Sequence, residues 1–248
     1  MVDTTTGIGG RVALVTGSGT GIGRAIARAL ADAGCRVVVN ARTGSNVEQV
    51  VREITDAGGN ATGIRADVSD PDAVEALFRQ ARRSFGPVEI LVACAGIMGP
   101  RAFGQDVTPG EFLEVLKVNL WGAFLCCKFA LPSMIQRRSG RIITVTGGGA
   151  DKPLKGALPY ATSKAGIEGL TRNLALETGA LGITCNCINP GLVDTPGFPL
   201  SGYPPERRAS MKPVSPEHAA RLTVWLASDA AREVNGQSID APEWDRGR

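Results

Sequence analysis

The sequence predicts an α/β domain built on one doubly wound parallel sheet of about seven strands, with helices on both faces. Two observations carry this. Short apolar strand patterns alternate with helical patterns along the whole chain, as a series of βαβ units requires. The first apolar run, Val12 to Val15, also breaks into a glycine cluster before a helical pattern begins, giving a strand, a tight turn and a helix. The 248 residues are 43% hydrophobic, which suits one globular domain and needs no second.

The strand patterns are Val12–Thr16, Cys35–Asn40, Ala61–Ala66, Ile90–Ala93, Arg141–Thr146, Thr184–Ile188 and Ser238–Asp240. The helical patterns are Gly21–Ala33, Ser45–Ala57, Asp72–Phe85, Pro109–Arg138, Pro159–Gly179 and Pro216–Ser228. In the first helix Ala25, Ile26, Ala29 and Leu30 recur at helical spacing. Residues 1–9 read as a loose tail and 10–248 as the domain. A net charge of +3, with Arg137-Arg138 and Arg207-Arg208 as short solvated pairs, argues against nucleic acid and membrane surfaces. No apolar run is expected to span a bilayer, and no signal-peptide core precedes residue 10. The six cysteines lack paired metal spacing and fall mostly in strands and helices, so they read as reduced, buried side chains in a cytoplasmic protein with no metal site. His218, the single histidine, reads as exposed and uninvolved.

The turn at Gly17–Gly23 has a physical use. Gly17 and Gly21 let the backbone bend and approach a ligand with no Cβ in the way. Gly23 lets the helix pack close to the strand, and the first N–H groups of that helix suit a pyrophosphate. The form Thr16-Gly-x-x-x-Gly-Ile-Gly, with a second strand closing a βαβ unit, resembles the cofactor motif of the short-chain dehydrogenase/reductase family. The resemblance implies a Rossmann-type fold and cofactor contacts from Gly17, Ser18, Thr20, Gly21 and Ile22.

Later motifs extend the resemblance in the right order, from about Arg11 to Asp240. At the end of the second strand an acid that would bind the ribose 2′-hydroxyl of NAD is expected. Ala41 stands there instead, and Arg42 follows. A guanidinium pairs with a 2′-phosphate, so the sequence favours NADP(H) over NAD(H); the other reading of Arg42 is a surface charge. Asp67-Val68 resembles the family's adenine contact, and Asp67 also reads as a helix cap or turn residue. Ala93-Cys94-Ala95-Gly96 stands where the family has Asn-Asn-Ala-Gly. Ala95 and Gly96 keep the close approach to the cofactor, while the loss of both asparagines calls for another bracing group or a weaker sheet. Asn119, in an otherwise apolar helix, must find partners or cost roughly 1–3 kcal/mol. The resemblance gives it a water that relays protons to the active-site lysine. That helix is apolar on more than one face (Trp121, Phe124, Leu125, Phe129), so it is expected to be buried, with a second subunit as one cover. A homodimer or homotetramer follows from the resemblance.

Tyr160-Ala-Thr-Ser-Lys164 opens the fifth helical pattern. Positions i and i+4 share a face, so the phenol and the ammonium stand together. A cation about 4 Å away is worth about 4 kcal/mol at an effective dielectric near 20, enough to bring a phenol from about 10 toward neutrality before desolvation takes some back. Such a tyrosine passes a proton to or from a substrate oxygen while hydride moves to or from a nicotinamide. The pair matches the family's catalytic pair, and Lys164 would also hold the ribose hydroxyls. The family's serine, 13 positions before the tyrosine, is replaced by Gly147. Thr146 either supplies the hydroxyl or is a β-branched strand residue, in which case Tyr160 and backbone N–H groups hold the substrate oxygen.

Asn189-Pro190-Gly191-Leu192-Val193-Asp194-Thr195 matches the family's turn over the nicotinamide, adding Pro190, Gly191, Val193 and Thr195 to the cofactor set. Residues 194–213 read as a substrate lid whose underside would carry Phe198, Leu200, Tyr203 and Met211. Ala241 and Pro242 replace a glycine pair of the family. The expected activity is hydride transfer between NADP(H) and a small carbonyl or secondary alcohol. Two rivals remain: a nucleotide-binding sensor or partner subunit with little turnover, and a non-redox dehydratase or epimerase.

Overall fold

The computed structural model describes residues 7–147, 150, 154–196 and 205–247. The strands are β1 Val12–Thr16, β2 Arg36–Ala41, β3 Asn60–Arg65, β4 Ile90–Ala93, β5 Gly140–Val145, β6 Ile183–Asn189 and β7 Ser238–Asp240. They form one parallel sheet in the order β3-β2-β1-β4-β5-β6-β7. The helices are α1 Gly21–Asp32, α2 Gly44–Asp56, α3 Pro71–Phe85, α4 Pro109–Leu116, α5 Gly122–Arg137, α6 Leu158–Thr178, α7 Pro205–Ser210, α8 Glu217–Ala227 and α9 Ala241–Arg246. Strand order reverses between β1 and β4, which puts the crevice at the carboxyl ends of those two strands.

Every expected strand and helix is present, its ends within about one residue. Alternation along β1 explains the unbroken apolar run. Ala13 and Val15 face the core shared with α1, α2 and α8, while Val12 and Leu14 face the core shared with α3, α5 and α6. A strand covered on both faces has no polar side to show. Local signals set the helix starts. Asp70 accepts the N–H groups of Asp72 and Ala73 at 3.0 and 3.4 Å, and Thr108 and Glu111 form a capping box.

Three expectations about the fold are corrected. The fold begins before residue 10, because Ile8 is fully buried and its carbonyl accepts the Cys35 thiol. The helix expected over 109–138 is three pieces, α4 and α5 being joined by a π-helical turn, Lys117–Trp121. That run of 29 residues is long and apolar enough to cross a membrane, against the expectation that none is; here it packs on the sheet, with half of its most apolar window buried. Within the single chain the apolar residues of this helix are not all covered: Leu113 (55%), Trp121 (43%) and Phe124 (38%) are exposed and line a groove of about 740 Å³ with Leu116, Leu120 and Leu170, which leaves the expected cover by a second subunit open.

At the amino ends of the strands, Asp229 accepts from Arg11 at 2.8 Å and from Arg141 at 3.2 Å. Arg141 is buried and its Nε has no partner, so losing the carboxylate strands a charge the fold has already desolvated. Asp229→Asn is expected to lower stability by about 1–3 kcal/mol, read from the urea midpoint.

Candidate active site

A cleft of about 980 Å³ runs along the carboxyl ends of the strands. Its floor is the turn after β1. Gly17 and Gly21 adopt φ of +65 and +55. A Cβ on Gly17 would lie 2.7 Å from Ala95 Cα, one on Gly21 would lie 2.9 Å from Thr195 Cγ2, and one on Gly23 would overlap the Gly17 carbonyl. At Gly17 and Gly21 another wall of the cleft comes too close for a side chain, and at Gly23 the turn's own backbone does. Thr20, Ile22, Asp67, Val68, Ala95, Gly96, Pro190, Gly191, Val193 and Thr195 line the same cleft. Ser18 does not. It is fully buried beneath the turn, its hydroxyl donating to the carbonyls of Val15 and Asn40, so it shapes the corner from below.

The brace for the missing asparagines is Thr16. Its Oγ1 accepts the N–H groups of Cys94 and Ala95 at 3.1 and 3.2 Å and donates to the Val92 carbonyl. A hydroxyl at the end of an apolar strand was the sequence signal for it. Cys94 lines the cleft with its thiol pushed up to about 11 by burial.

These residues fit a dinucleotide. The glycine cradle leaves room that a Cβ would fill, and the N-terminus of α1 opens onto it with free N–H groups. Ala41 leaves no acid at the end of β2, while Arg42 lines the cleft with its guanidinium 3.9 Å from Asp67. Asp67 also accepts from the backbone and hydroxyl of Ser69 at 2.9 and 2.8 Å, and the cap of α3 is Asp70 instead.

Tyr160 and Lys164 lie one turn apart on α6, with the ammonium 5.5 Å from the phenol ring centre. Lys164 is buried, donates to the Val145 carbonyl at 2.8 Å, and is held below the ordinary lysine range by that burial. Asn119 sits in the π-helical turn and is fully buried. Its Oδ1 accepts the Ile97 N–H at 2.8 Å, and its Nδ2 donates to the Ile97 carbonyl at 3.0 Å and to Ser163 Oγ at 2.9 Å. The Ser163 hydroxyl in turn donates to the Tyr160 carbonyl at 2.7 Å. Asn119 thus ties the loop after β4 to the first turn of α6. Gly96 lies against both groups: a Cβ there would be 3.3 Å from Asn119 Oδ1 and 3.5 Å from Lys164 Nζ.

Position 147 has no room for a side chain as the site stands, because a Cβ there would overlap the Tyr160 hydroxyl. The tyrosine occupies the space. Thr146 lines the cleft, but its hydroxyl donates to the Lys164 carbonyl at 3.3 Å, so its proton is engaged with α6. Ile97, Met98, Leu154 and Met211 add apolar side chains to the lining of the same cleft. Phe198, Leu200, Tyr203 and the side chains of Arg207 and Arg208 lie outside the described residues. His218 is half-buried rather than exposed, with Nδ1 2.6 Å from Asp245. Among the described residues no group of His, Cys, Asp and Glu could hold a metal.

Comparison with known proteins agrees with this geometry. The family model for short chain dehydrogenase matches residues 11–200. Cis-4-hydroxycyclohexanecarboxylate dehydrogenase of Sinomonas cyclohexanicum is 38% identical, over 91% of this chain and 92% of that one. The NADPH-dependent aldehyde reductase-like protein, chloroplastic, of Arabidopsis thaliana is also 38% identical, over 94% of this chain and 93% of that one. The crystal structure of a variant of actinorhodin polyketide ketoreductase with NADPH superposes with a TM-score of 0.88, at 32% identity, covering 93% of this chain and 95% of that one. With its seven-stranded sheet, glycine corner and Tyr-x-x-x-Lys helix, the chain belongs to the short-chain dehydrogenase/reductase family of NAD(P)-dependent oxidoreductases.

Proposed function

We propose that the chain moves hydride between NADP(H) and a carbonyl or secondary alcohol, with the proton passing through Tyr160. One observation carries the reading: the Tyr160 phenol and the buried Lys164 ammonium share the cleft that begins at the glycine corner. Bound cofactor supplies or takes up the hydride. The turn Gly17–Gly21 would hold its pyrophosphate, Arg42 its 2′-phosphate, Asp67 and Val68 its adenine, and Lys164 with Pro190–Val193 its nicotinamide end.

In the reducing direction Tyr160 Oη gives its proton to the substrate oxygen, and the neighbouring ammonium favours the phenolate left behind. With Gly147 bare and the Thr146 proton engaged, Tyr160 is the hydroxyl among the described residues that would hold the substrate oxygen, with backbone N–H groups as its helpers. Asn119 fixes the start of α6 and so the phenol's place. The apolar side chains in the cleft lining suit a hydrocarbon ring or chain on the substrate, and the Sinomonas relative is named for a cyclohexane alcohol that also carries a carboxylate.

The choice of NADP(H) rests on Ala41 and Arg42, and on the NADPH named for two relatives. Arg42→Ala is expected to weaken NADPH binding about 10-fold, leaving NADH binding nearly unchanged, as measured by fluorescence titration. The exposed Leu113–Trp121–Phe124 groove is the proposed contact with a second copy of the chain, and the six free thiols suit a reducing compartment such as the cytoplasm. The experiment for the activity is NADPH consumption over a panel of cyclic and open-chain ketones. Consumption with at least one supports the reading; NADPH binding without consumption of any ketone contradicts it.

A further inference from the structure

The chain ends in a helix that rests on the turn over the cleft. β7 pairs in register with β6, placing Asp240 beside Asn189. Asp240 Oδ1 accepts the Glu243 N–H at 2.9 Å and caps α9, while Oδ2 accepts the Asn189 side-chain amide at 3.4 Å. Asn189 Oδ1 in turn accepts the Gly191 N–H at 3.2 Å. Gly191 adopts φ +74, and a Cβ there would lie 2.9 Å from the Pro242 ring and 3.0 Å from Val214. The Val214 N–H donates to the Leu192 carbonyl at 2.8 Å. The turn Pro190–Val193 is therefore held between residue 214 and the first residues of α9.

The far end of α9 is fastened to α8. Trp244 packs on Trp225 with ring centres 5.3 Å apart. Asp245 Oδ1 accepts Arg221 Nε at 2.7 Å, and Oδ2 meets His218 Nδ1 at 2.6 Å as well as Arg221 Nη2. Arg221 holds the Asp245 carboxyl down at about 2, so the carboxylate stays charged under ordinary conditions. A six-residue helix does not hold itself together in water; its order, and any restraint it passes to the turn, depends on these contacts.

We propose that α9 is a clamp on the cofactor side of the cleft, in which Asp245 acts through the helix as a positioning residue for the Pro190–Val193 turn. The proposal rests on reading the cleft as the NADP(H) site. Its test is the dissociation constant for NADPH, by fluorescence titration, which needs no turnover. Asp245→Asn and Arg221→Gln are each expected to weaken binding about fivefold or more, with Asp245→Glu restoring it to within about twofold of the parent. Asp229→Asn breaks another arginine–carboxylate clamp, at the opposite ends of the strands, and is expected to change binding by less than about twofold. The proposal is overturned if Asp245→Asn and Arg221→Gln both bind NADPH like the parent, or if Asp229→Asn weakens binding as much as they do. A parent that binds no NADPH would overturn the cofactor reading itself, a result separate from the comparison of variants.

Discussion

Tyr160→Phe is expected to lower kcat for ketone reduction by about 10²–10⁴-fold while leaving NADPH affinity essentially unchanged. The substitution removes one hydroxyl and keeps the ring that stands 5.5 Å from the Lys164 ammonium. In many proton-transfer sites a second hydroxyl softens such a loss. Here position 147 carries no side chain, and the Thr146 hydroxyl donates to the Lys164 carbonyl, so the substrate oxygen loses the donor on which this arrangement leans. The loss belongs in kcat rather than in cofactor binding, because the glycine corner and Arg42 are untouched. Steady-state rates and a fluorescence titration on the same preparation separate the two.

Lys164→Met is expected to reduce kcat/KM by about 10²–10³-fold and, in the absence of cofactor, to leave the thermal midpoint equal to the parent's or higher. The ammonium is buried and its folded-state pKa is lowered, chiefly by desolvation, from an ordinary value of 10.5. Between the folded and unfolded values the unfolded chain binds more protons, so the parent's stability rises with pH across that window. Methionine has no such proton to lose. The advantage of the variant should therefore be present at neutral pH and shrink as pH climbs toward about 10. A buried cation retained for chemistry, at a cost in stability, is the pattern of a functional site. Thermal scans of both proteins over that pH range, with the activity measured beside them, give the check.

Most of the fold was legible in the sequence because the elements are strongly periodic and a strand buried on both faces advertises itself as an unbroken apolar run. The glycine corner was legible for a steric reason: Gly17, Gly21 and Gly23 each stand where a Cβ would meet Ala95, Thr195 or the Gly17 carbonyl. The π-helical turn at Asn119 was not legible, since it changes hydrogen-bond spacing without changing the apolar pattern. Helix α9 was missed because six residues carry too little periodicity; Asp240 followed by Ala241-Pro242, a cap and an N-terminal proline, was its one local signal. His218 read as exposed because its partner, Asp245, lies far along the chain. What stands beside Tyr160 was likewise hidden, because sequence shows that Gly147 lacks a hydroxyl but not that the phenol itself fills the space.

The central claim is hydride transfer at this cleft, and isotope tracing tests it most directly. The parent protein is mixed with NADPH deuterated at the transferred position and with a ketone that supports turnover, and the product is read by mass spectrometry and NMR. The account predicts one deuterium per product molecule, on the carbinol carbon. Product formed without deuterium at that carbon, as a dehydratase or epimerase would give, or tight NADPH binding with no product from any ketone, as a sensor would give, would contradict it.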